Sequence, residues 1–170
     1  FHLTMEKYFS AKKRLFEMLP NDAPAAINID DPRGLSIVEL VQRPVTYAID
    51  RPADVTPGPI TSSLEGLAFN ARSPQGVVRV RSNLLGRANV YNLLSVVGTA
   101  TALGLPRNAV EQGIERMTGV PGRFESVSSF DDDIPVFVDY AHTDDALRHL
   151  LETARPLASQ RLITVFGCGG

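Results

Sequence analysis

The chain has 170 residues, of which 44% are hydrophobic and 21% charged, and its formal net charge is −2. This composition is typical of a globular protein with a real core and argues against a disordered chain. No apolar run approaches the roughly 20 residues that a transmembrane helix needs. The near-neutral charge does not favour nucleic acid as a partner. A single cysteine, Cys168, argues against a disulfide framework and favours a reducing, cytoplasmic location.

The distribution of lysine and the two ends of the chain are unusual. Lysine occurs only at positions 7, 12 and 13, although Lys plus Arg is 17. The chain begins without methionine and stops just after a predicted strand. We therefore expect a piece of a longer protein.

Helices and strands are mixed over the first 119 residues. Residues 5–19 have the apolar spacing of an amphipathic helix, with Thr4 as its N-cap. Residues 50–60, rich in Pro and Gly, are predicted to be a loop. The other predicted elements are a strand at 25–29, a short helix at 36–42, a strand at 45–49, a hairpin of 67–72 with 77–81, and helices at 89–103 and 106–118.

The pattern changes at Val120-Pro121-Gly122, which we interpret as the joint between a domain at 1–119 and a second at 120–170. Beyond the joint, the predicted elements are strands at 124–127 and 135–139, a helix at 143–154 and a strand at 162–166. The last three predict a βαβ unit, so the whole chain is expected to be α/β.

Lys12 falls in the middle of the apolar stripe of the first predicted helix. One interpretation is a lysine at the edge of a core whose amine reaches water. The other is a lysine with a lowered pKa, or one modified by carbon dioxide to a carbamate that binds a metal ion.

Asp139 and His142 lie where a predicted strand gives way to a helix, which is where ligands gather in open α/β sheets. These side chains could meet a ribose, a phosphate or a metal. Alternatively, Asp139 caps backbone groups and Thr143 is the helix N-cap.

Asn89 and Asn92 stand three apart at a predicted helix start. Amides can both donate to and accept from an adenine edge, whereas the simpler interpretation makes Asn89 an N-cap. Residues 166–170 (FGCGG) could begin a phosphate loop. A G-x-x-x-x-G-K-[ST] loop is absent from the sequence.

Six segments taken together resemble the Mur ligases of bacterial cell-wall synthesis, and within them the tripeptide-synthetase (MurE) type. The specific part is DYAHT-x-DAL followed by VFGCGG. The segments are 4–16 (TMEKYFSAKKRLF), 26–31 (AINIDD), 85–94 (LGRANVYNLL), 120–125 (VPGRFE), 138–147 (VDYAHTDDAL) and 165–170 (VFGCGG).

The resemblance implies part of a central P-loop-type ATPase domain at 1–119, with a mixed sheet and helices, and the start of a Rossmann-like C-terminal domain at 120–170. It implies an ATP- and Mg²⁺-dependent ligase that adds meso-diaminopimelate or L-lysine to UDP-MurNAc-L-Ala-D-Glu through an acyl phosphate. The expected protein is a cytoplasmic monomer with neither a membrane nor a nucleic-acid partner. The 170 residues alone are expected to be inactive.

The site residues carry over individually. Lys12 matches the family's carbamylated, magnesium-associated lysine. Asn89 and Asn92 match the asparagines near the ATP adenine. Arg123 and Asp139 match its ATP-contacting residues, and His142 is placed on the nucleotide side.

Two departures stand out: Ala88 where Phe is common, and Asp144 where Pro is common. The alternatives are another superfamily member, of the cyanophycin synthetase or folylpolyglutamate synthase type, or a non-catalytic binding protein.

Overall fold

The computed structural model describes residues 4–129 and 132–167. It is a mixed α/β structure, as predicted. The helices are α1 (Met5–Glu17), α2 (Pro32–Val38), α3 (Arg87–Ala102), α4 (Arg107–Glu115) and α5 (Asp144–Ala154). The strands are β1 (Pro24–Asn28), β2 (Arg43–Tyr47), β3 (Thr56–Pro57), β4 (Thr61–Ser63), β5 (Gly66–Ser73), β6 (Gly76–Ser82), β7 (Glu125–Ser126) and β8 (Phe137–Val138). No helix in the described residues is long and apolar enough to cross a membrane.

Two small sheets form the framework of the first 119 residues. β1 and β2 pair in parallel, and α3 packs on them. Gly98 permits this close packing, because a Cβ there would lie 3.3 Å from the Cβ of Ala26. β5 and β6 form the predicted antiparallel hairpin, which turns at Pro74-Gln75 and is extended by β3 and β4.

Helix α3 is the centre of the larger core, where Leu93 and Leu94 are almost wholly buried with Phe69 and Val80 of the hairpin. A second core cluster surrounds Ile27 of β1. Among residues 4–129 and 132–167, all buried members of both clusters lie at or before Ile114. This distribution supports a domain boundary near residue 119, which stays a prediction.

Helix α1 covers the second cluster only partly. Thr4 is its N-cap, as predicted, and the Thr4 hydroxyl accepts from the N–H of Lys7. Phe9 and Phe16 pack against the cluster, but no residue of α1 is fully buried. The predicted apolar stripe is therefore largely open to solvent.

Two helix starts differ from the prediction. α2 begins at Pro32 instead of residue 36, because Asp31 caps it and proline fits the first helical position. α3 begins at Arg87 with Gly86 as its N-cap. The interpretation of Asn89 as an N-cap is therefore wrong.

The second part of the chain contains less regular structure than predicted. β7 and β8 pair antiparallel, and Thr143 caps α5 as expected. Residues 162–166 form no strand, so the predicted βαβ unit is wrong for the described residues. A strand needs a hydrogen-bonded neighbour, and this apolar segment lies open, with Val165 92% exposed.

Candidate functional site

Lys12 lies on the exposed side of α1, and its Nζ is 5.5 Å from the centroid of the Tyr8 ring. It borders an open pocket of about 320 Å³ between α1, β1 and α2. This exposure agrees with the first interpretation, a lysine at the edge of a core whose amine reaches water, and Met5 and Leu15 on the same helix are exposed as well. An accessible amine can still react with carbon dioxide, so the carbamate stays a prediction.

The polar groups around this pocket do not by themselves form a metal site. Asp31 is engaged at the start of α2, where its Oδ1 accepts from the N–H of Arg33 at 2.9 Å. The described part of the chain holds no group of three His, Cys, Asp or Glu placed to bind a metal. An unmodified lysine is a cation and cannot ligate one, so only a Lys12 carbamate would fit Mg²⁺ here.

Asn89 and Asn92 form a short chain of hydrogen bonds at the start of α3. The Nδ2 of Asn89 donates to the carbonyl of Leu85 at 2.7 Å, and the Nδ2 of Asn92 donates to the Oδ1 of Asn89 at 3.0 Å. Among the described residues, nothing donates to the side-chain carbonyl of Asn92. Asn92 is exposed, so it can both donate to and accept from a ligand.

Asp30 is a charged residue between β1 and α2 that is not among the predicted site residues. Its side chain is 9% exposed, and its Oδ2 accepts from the N–H groups of Ile49 at 2.6 Å and Asp50 at 3.1 Å. The hydroxyl of Tyr91 in α3 also donates to Oδ2, at 2.9 Å. The Nε of Arg51 lies 3.3 Å from the buried Oδ1, without the alignment of a hydrogen bond.

These contacts decide the ionisation of Asp30. Burial alone would raise its pKa, but the two backbone N–H groups, the Tyr91 hydroxyl and the charge of Arg51 together lower that pKa below its ordinary value. The pKa of Tyr91 is raised, first by burial and then by its bond to the Asp30 carboxylate. The only sequence signal for this contact was a pair of acidic residues after a strand, which also describes an ordinary turn.

Arg123 and Asp139 are brought together across a tight loop. The Oδ2 of Asp139 accepts from the N–H of Phe124 at 2.7 Å, and its Oδ1 accepts from the N–H of Ala141 at 2.8 Å. The capping alternative for Asp139 is thus confirmed. Phe124 has a left-handed backbone, with φ 48°, and its ring stacks on Phe137 with centroids 4.6 Å apart. The side chain of Arg123 lies exposed beside it.

His142 lies close to this loop on the exposed surface. Its Nδ1 is 2.9 Å from the carbonyl oxygen of Tyr140, whose ring it meets edge-on at 5.1 Å. Tyr140 in turn donates its N–H to the carbonyl of Gly122 at 2.8 Å. His142 therefore belongs to the Asp139 loop, whereas Lys12 and the Asn89–Asn92 pair lie on other elements. The FGCGG segment falls outside the described residues from Cys168 onward.

Comparison with known proteins identifies the family. Residues 1–100 match the family described as Mur ligase middle domain, and residues 122–170 match the Mur ligase, glutamate ligase domain. The chain belongs to the Mur ligase family. The resemblance that the six sequence segments indicated is therefore confirmed.

Similar proteins cover the whole of this Mur ligase chain. A UDP-N-acetylmuramoyl-L-alanyl-D-glutamate--2,6-diaminopimelate ligase from Gloeobacter violaceus is 45% identical over 170 residues, which is 100% of the chain and 35% of that relative. The same-named ligase from Geobacter metallireducens is 43% identical over 177 residues, covering 34% of that relative. The chain thus spans about a third of the length of these relatives.

Solved structures agree with this fold. A structure of a UDP-N-acetylmuramoyl-L-alanyl-D-glutamate--2,6-diaminopimelate ligase matches with a TM-score of 0.78 and 36% identity, covering 100% of this chain and 36% of that one. Folylpolyglutamate synthetase from Lactobacillus casei matches with a TM-score of 0.72 over 93% of the chain and 41% of its own. At 17% identity the second likeness concerns the fold alone.

Proposed function

We propose that the full-length protein is an ATP-dependent amide-bond ligase of peptidoglycan precursor synthesis. It adds a diamino acid, meso-diaminopimelate or L-lysine, to UDP-MurNAc-L-Ala-D-Glu through an acyl phosphate. The observation that carries the proposal is similarity along the entire chain, at 45% identity, to a relative named as a 2,6-diaminopimelate ligase. That name favours diaminopimelate over lysine as the added amino acid.

The start of α3 is the part of the chain best suited to the adenine of ATP. The free carbonyl of Asn92 accepts from an exocyclic amino group, and the second N–H of its amide donates to a ring nitrogen. Asn89 holds Asn92 in place through its Oδ1 and is itself tied to the backbone of Leu85. The Asn92 amide therefore recognises the adenine, and Asn89 orients that amide.

The Asp139 loop is suited to the phosphates or ribose of the same nucleotide. Arg123 is exposed and carries five N–H donors, which favours bidentate binding of phosphate oxygens. Asp139 uses one lone pair of each carboxylate oxygen on the backbone, so it fixes the loop and retains acceptor capacity for a hydroxyl. His142 lies at the exposed rim of this loop as a further donor or acceptor.

Lys12 is the proposed link to magnesium. Carbamylation replaces its positive charge by an anionic group with two oxygen donors, the ligand type that Mg²⁺ prefers. When bound, Mg²⁺ supplies neutralisation of phosphate charge during phosphoryl transfer. The contribution of this chain is to hold an exposed Lys12 beside the pocket between α1, β1 and α2.

The proposal is tested by assaying the full-length protein for phosphate release with UDP-MurNAc-L-Ala-D-Glu and either diaminopimelate or lysine. We expect turnover that needs ATP, Mg²⁺ and one diamino acid. Lys12→Arg keeps the positive charge but cannot form the carbamate, so it should abolish turnover.

Lys13→Arg is the matched control, because Lys13 pairs with Glu17 at 3.3 Å and arginine can keep that pair. It should retain turnover. If the protein shows no turnover with diaminopimelate and none with lysine, the proposed reaction is refuted. A fully active Lys12→Arg would refute the carbamate. The 170-residue chain by itself should not hydrolyse ATP.

A further inference from the structure

Helix α3 begins without a capping side chain. Its N-cap is Gly86, which has φ 86° and no side chain to accept from the first helical N–H groups. Its backbone carbonyl accepts from the N–H groups of Asn89 at 3.0 Å and Val90 at 3.3 Å. Glycine is an accepted N-cap residue, but it lacks the side-chain oxygen that Ser, Thr, Asn or Asp would supply. The first turns of α3 therefore depend more on contacts with the rest of the fold.

Those contacts come from acidic residues that follow the ends of β1 and β2. Tyr91 donates to the Oδ2 of Asp30, and Arg87 pairs with Asp50. The guanidinium of Arg87 also lies over the Tyr91 ring, 5.7 Å from its centroid. Asp30, Asp50, Arg87 and Tyr91 form what we call the Asp30 cluster.

The Asp30 cluster and the amide pair lie on opposite flanks of one helix. At 3.6 residues per turn, Asn89 and Tyr91 point about 200° apart around the axis. Between the flanks, Val90, Leu93 and Leu94 anchor α3 in the core. Apolar contacts have no preferred direction, so the core fixes rotation about the axis less sharply than a hydrogen bond does. The hydrogen bond from Tyr91 to a nine-tenths buried carboxylate does have one.

We infer that Asp30, acting through Tyr91, is a positioning residue. It sets the rotation of the first turns of α3 about the helix axis and their position along it, and hence the placement of the Asn92 amide against the adenine. This inference rests on the proposed nucleotide function of Asn92. The Asp50–Arg87 pair is solvent-exposed on both sides, with side chains 64% and 56% exposed, so it contributes less. The directional contact is the one between Asp30 and Tyr91.

The decisive variant is Tyr91→Phe in the full-length protein, assayed with ATP and with ITP, whose ring carries an oxygen in place of the amino group. Tyr91→Phe removes a hydrogen bond to a charged acceptor and should raise KM for ATP by about fivefold. Only part of the free energy of that bond is lost from ATP binding, because the core still holds the helix. The kcat should stay unchanged, and KM for ITP should change little. Selectivity for ATP over ITP therefore falls.

Glu111→Gln is the matched control. Glu111 makes a similar set of contacts on α4, where its Oε1 accepts from the N–H of Arg79 at 2.8 Å, away from the start of α3. It should cost stability without changing KM for ATP. An equal rise in KM in Glu111→Gln, or an unchanged KM in Tyr91→Phe, would overturn the positioning role. If Tyr91→Phe lowers the folded fraction, Asp30→Asn, which removes the charge that Tyr91 donates to, should still raise KM for ATP, and no rise there overturns the positioning role too.

Asn92→Ala separates the two claims. A raised KM for ATP in Asn92→Ala with no effect of Tyr91→Phe refutes the positioning role alone. An unchanged KM in Asn92→Ala refutes the proposed nucleotide function of Asn92, and this inference with it.

Discussion

The contact between Asp139 and Phe124 leads to the sharpest prediction. Asp139→Asn keeps the shape of the side chain but leaves one acceptor oxygen for two backbone N–H groups, those of Phe124 and Ala141. A hydrogen bond to a charged group contributes about 1.5–3 kcal/mol. Since Asp139 is only half-buried, we take about 2 kcal/mol, which corresponds to a factor of about 30.

The loss acts on the backbone of Phe124. A left-handed conformation costs a non-glycine residue about 1–2 kcal/mol, so without the Asp139 bond Phe124 should relax and carry the neighbouring Arg123 out of position. We therefore expect ATP affinity to fall by up to about 30-fold in Asp139→Asn, measured by titration of the full-length protein with ATP.

A second substitution distinguishes this indirect effect from a direct contact of Asp139 with the nucleotide. Glycine adopts φ 48° freely, so Phe124→Gly should hold the loop without Asp139, at the cost of the stack on Phe137. The double variant should recover most of the lost ATP affinity. If the double variant recovers no ATP affinity, the indirect mechanism is refuted and a direct contact of Asp139 with the nucleotide remains. If Asp139→Asn binds ATP almost as tightly as wild type, both explanations are refuted.

Three further predictions concern stability and modification. Because the pKa of Asp30 is lowered in the folded state, the stabilisation of the fold by its carboxylate is present above the ordinary aspartate pKa of about 3.9 and is lost as pH falls through and below that value. Asp30→Asn should therefore flatten the acid dependence of the free energy of unfolding, measured with urea. An unaltered dependence on pH would contradict this. Leu93→Ala should lower the free energy of unfolding by about 2–5 kcal/mol, while Val96→Ala on the exposed side of α3 should cost under about 0.5 kcal/mol; equal losses would refute the assigned core. In ¹³C-bicarbonate, the full-length protein should show a carbamate carbon signal by NMR that disappears in Lys12→Arg and persists in Lys13→Arg; a signal that survives in both would place the carbamate elsewhere.

Local sequence patterns predicted most of the elements. The caps Thr4 and Thr143, the hairpin of β5 and β6, and the helices α3 and α4 depend on residues within a few positions of each other, so periodicity and capping rules were sufficient. The same rules misplaced the start of α3, because an uncapped glycine at a helix start leaves no side-chain signal.

The sequence by itself determined the family and the predicted site residues, since six ordered segments carry that information whatever their surroundings. Only the tertiary structure decided what surrounds those residues. It exposed Lys12, left residues 162–166 unpaired, joined Asp139 to Phe124, and placed Asp30 under Tyr91. The last two contacts join residues 15 and 61 positions apart. Such pairs form through the packing of whole elements, and no local pattern of charge or hydrophobicity encodes them.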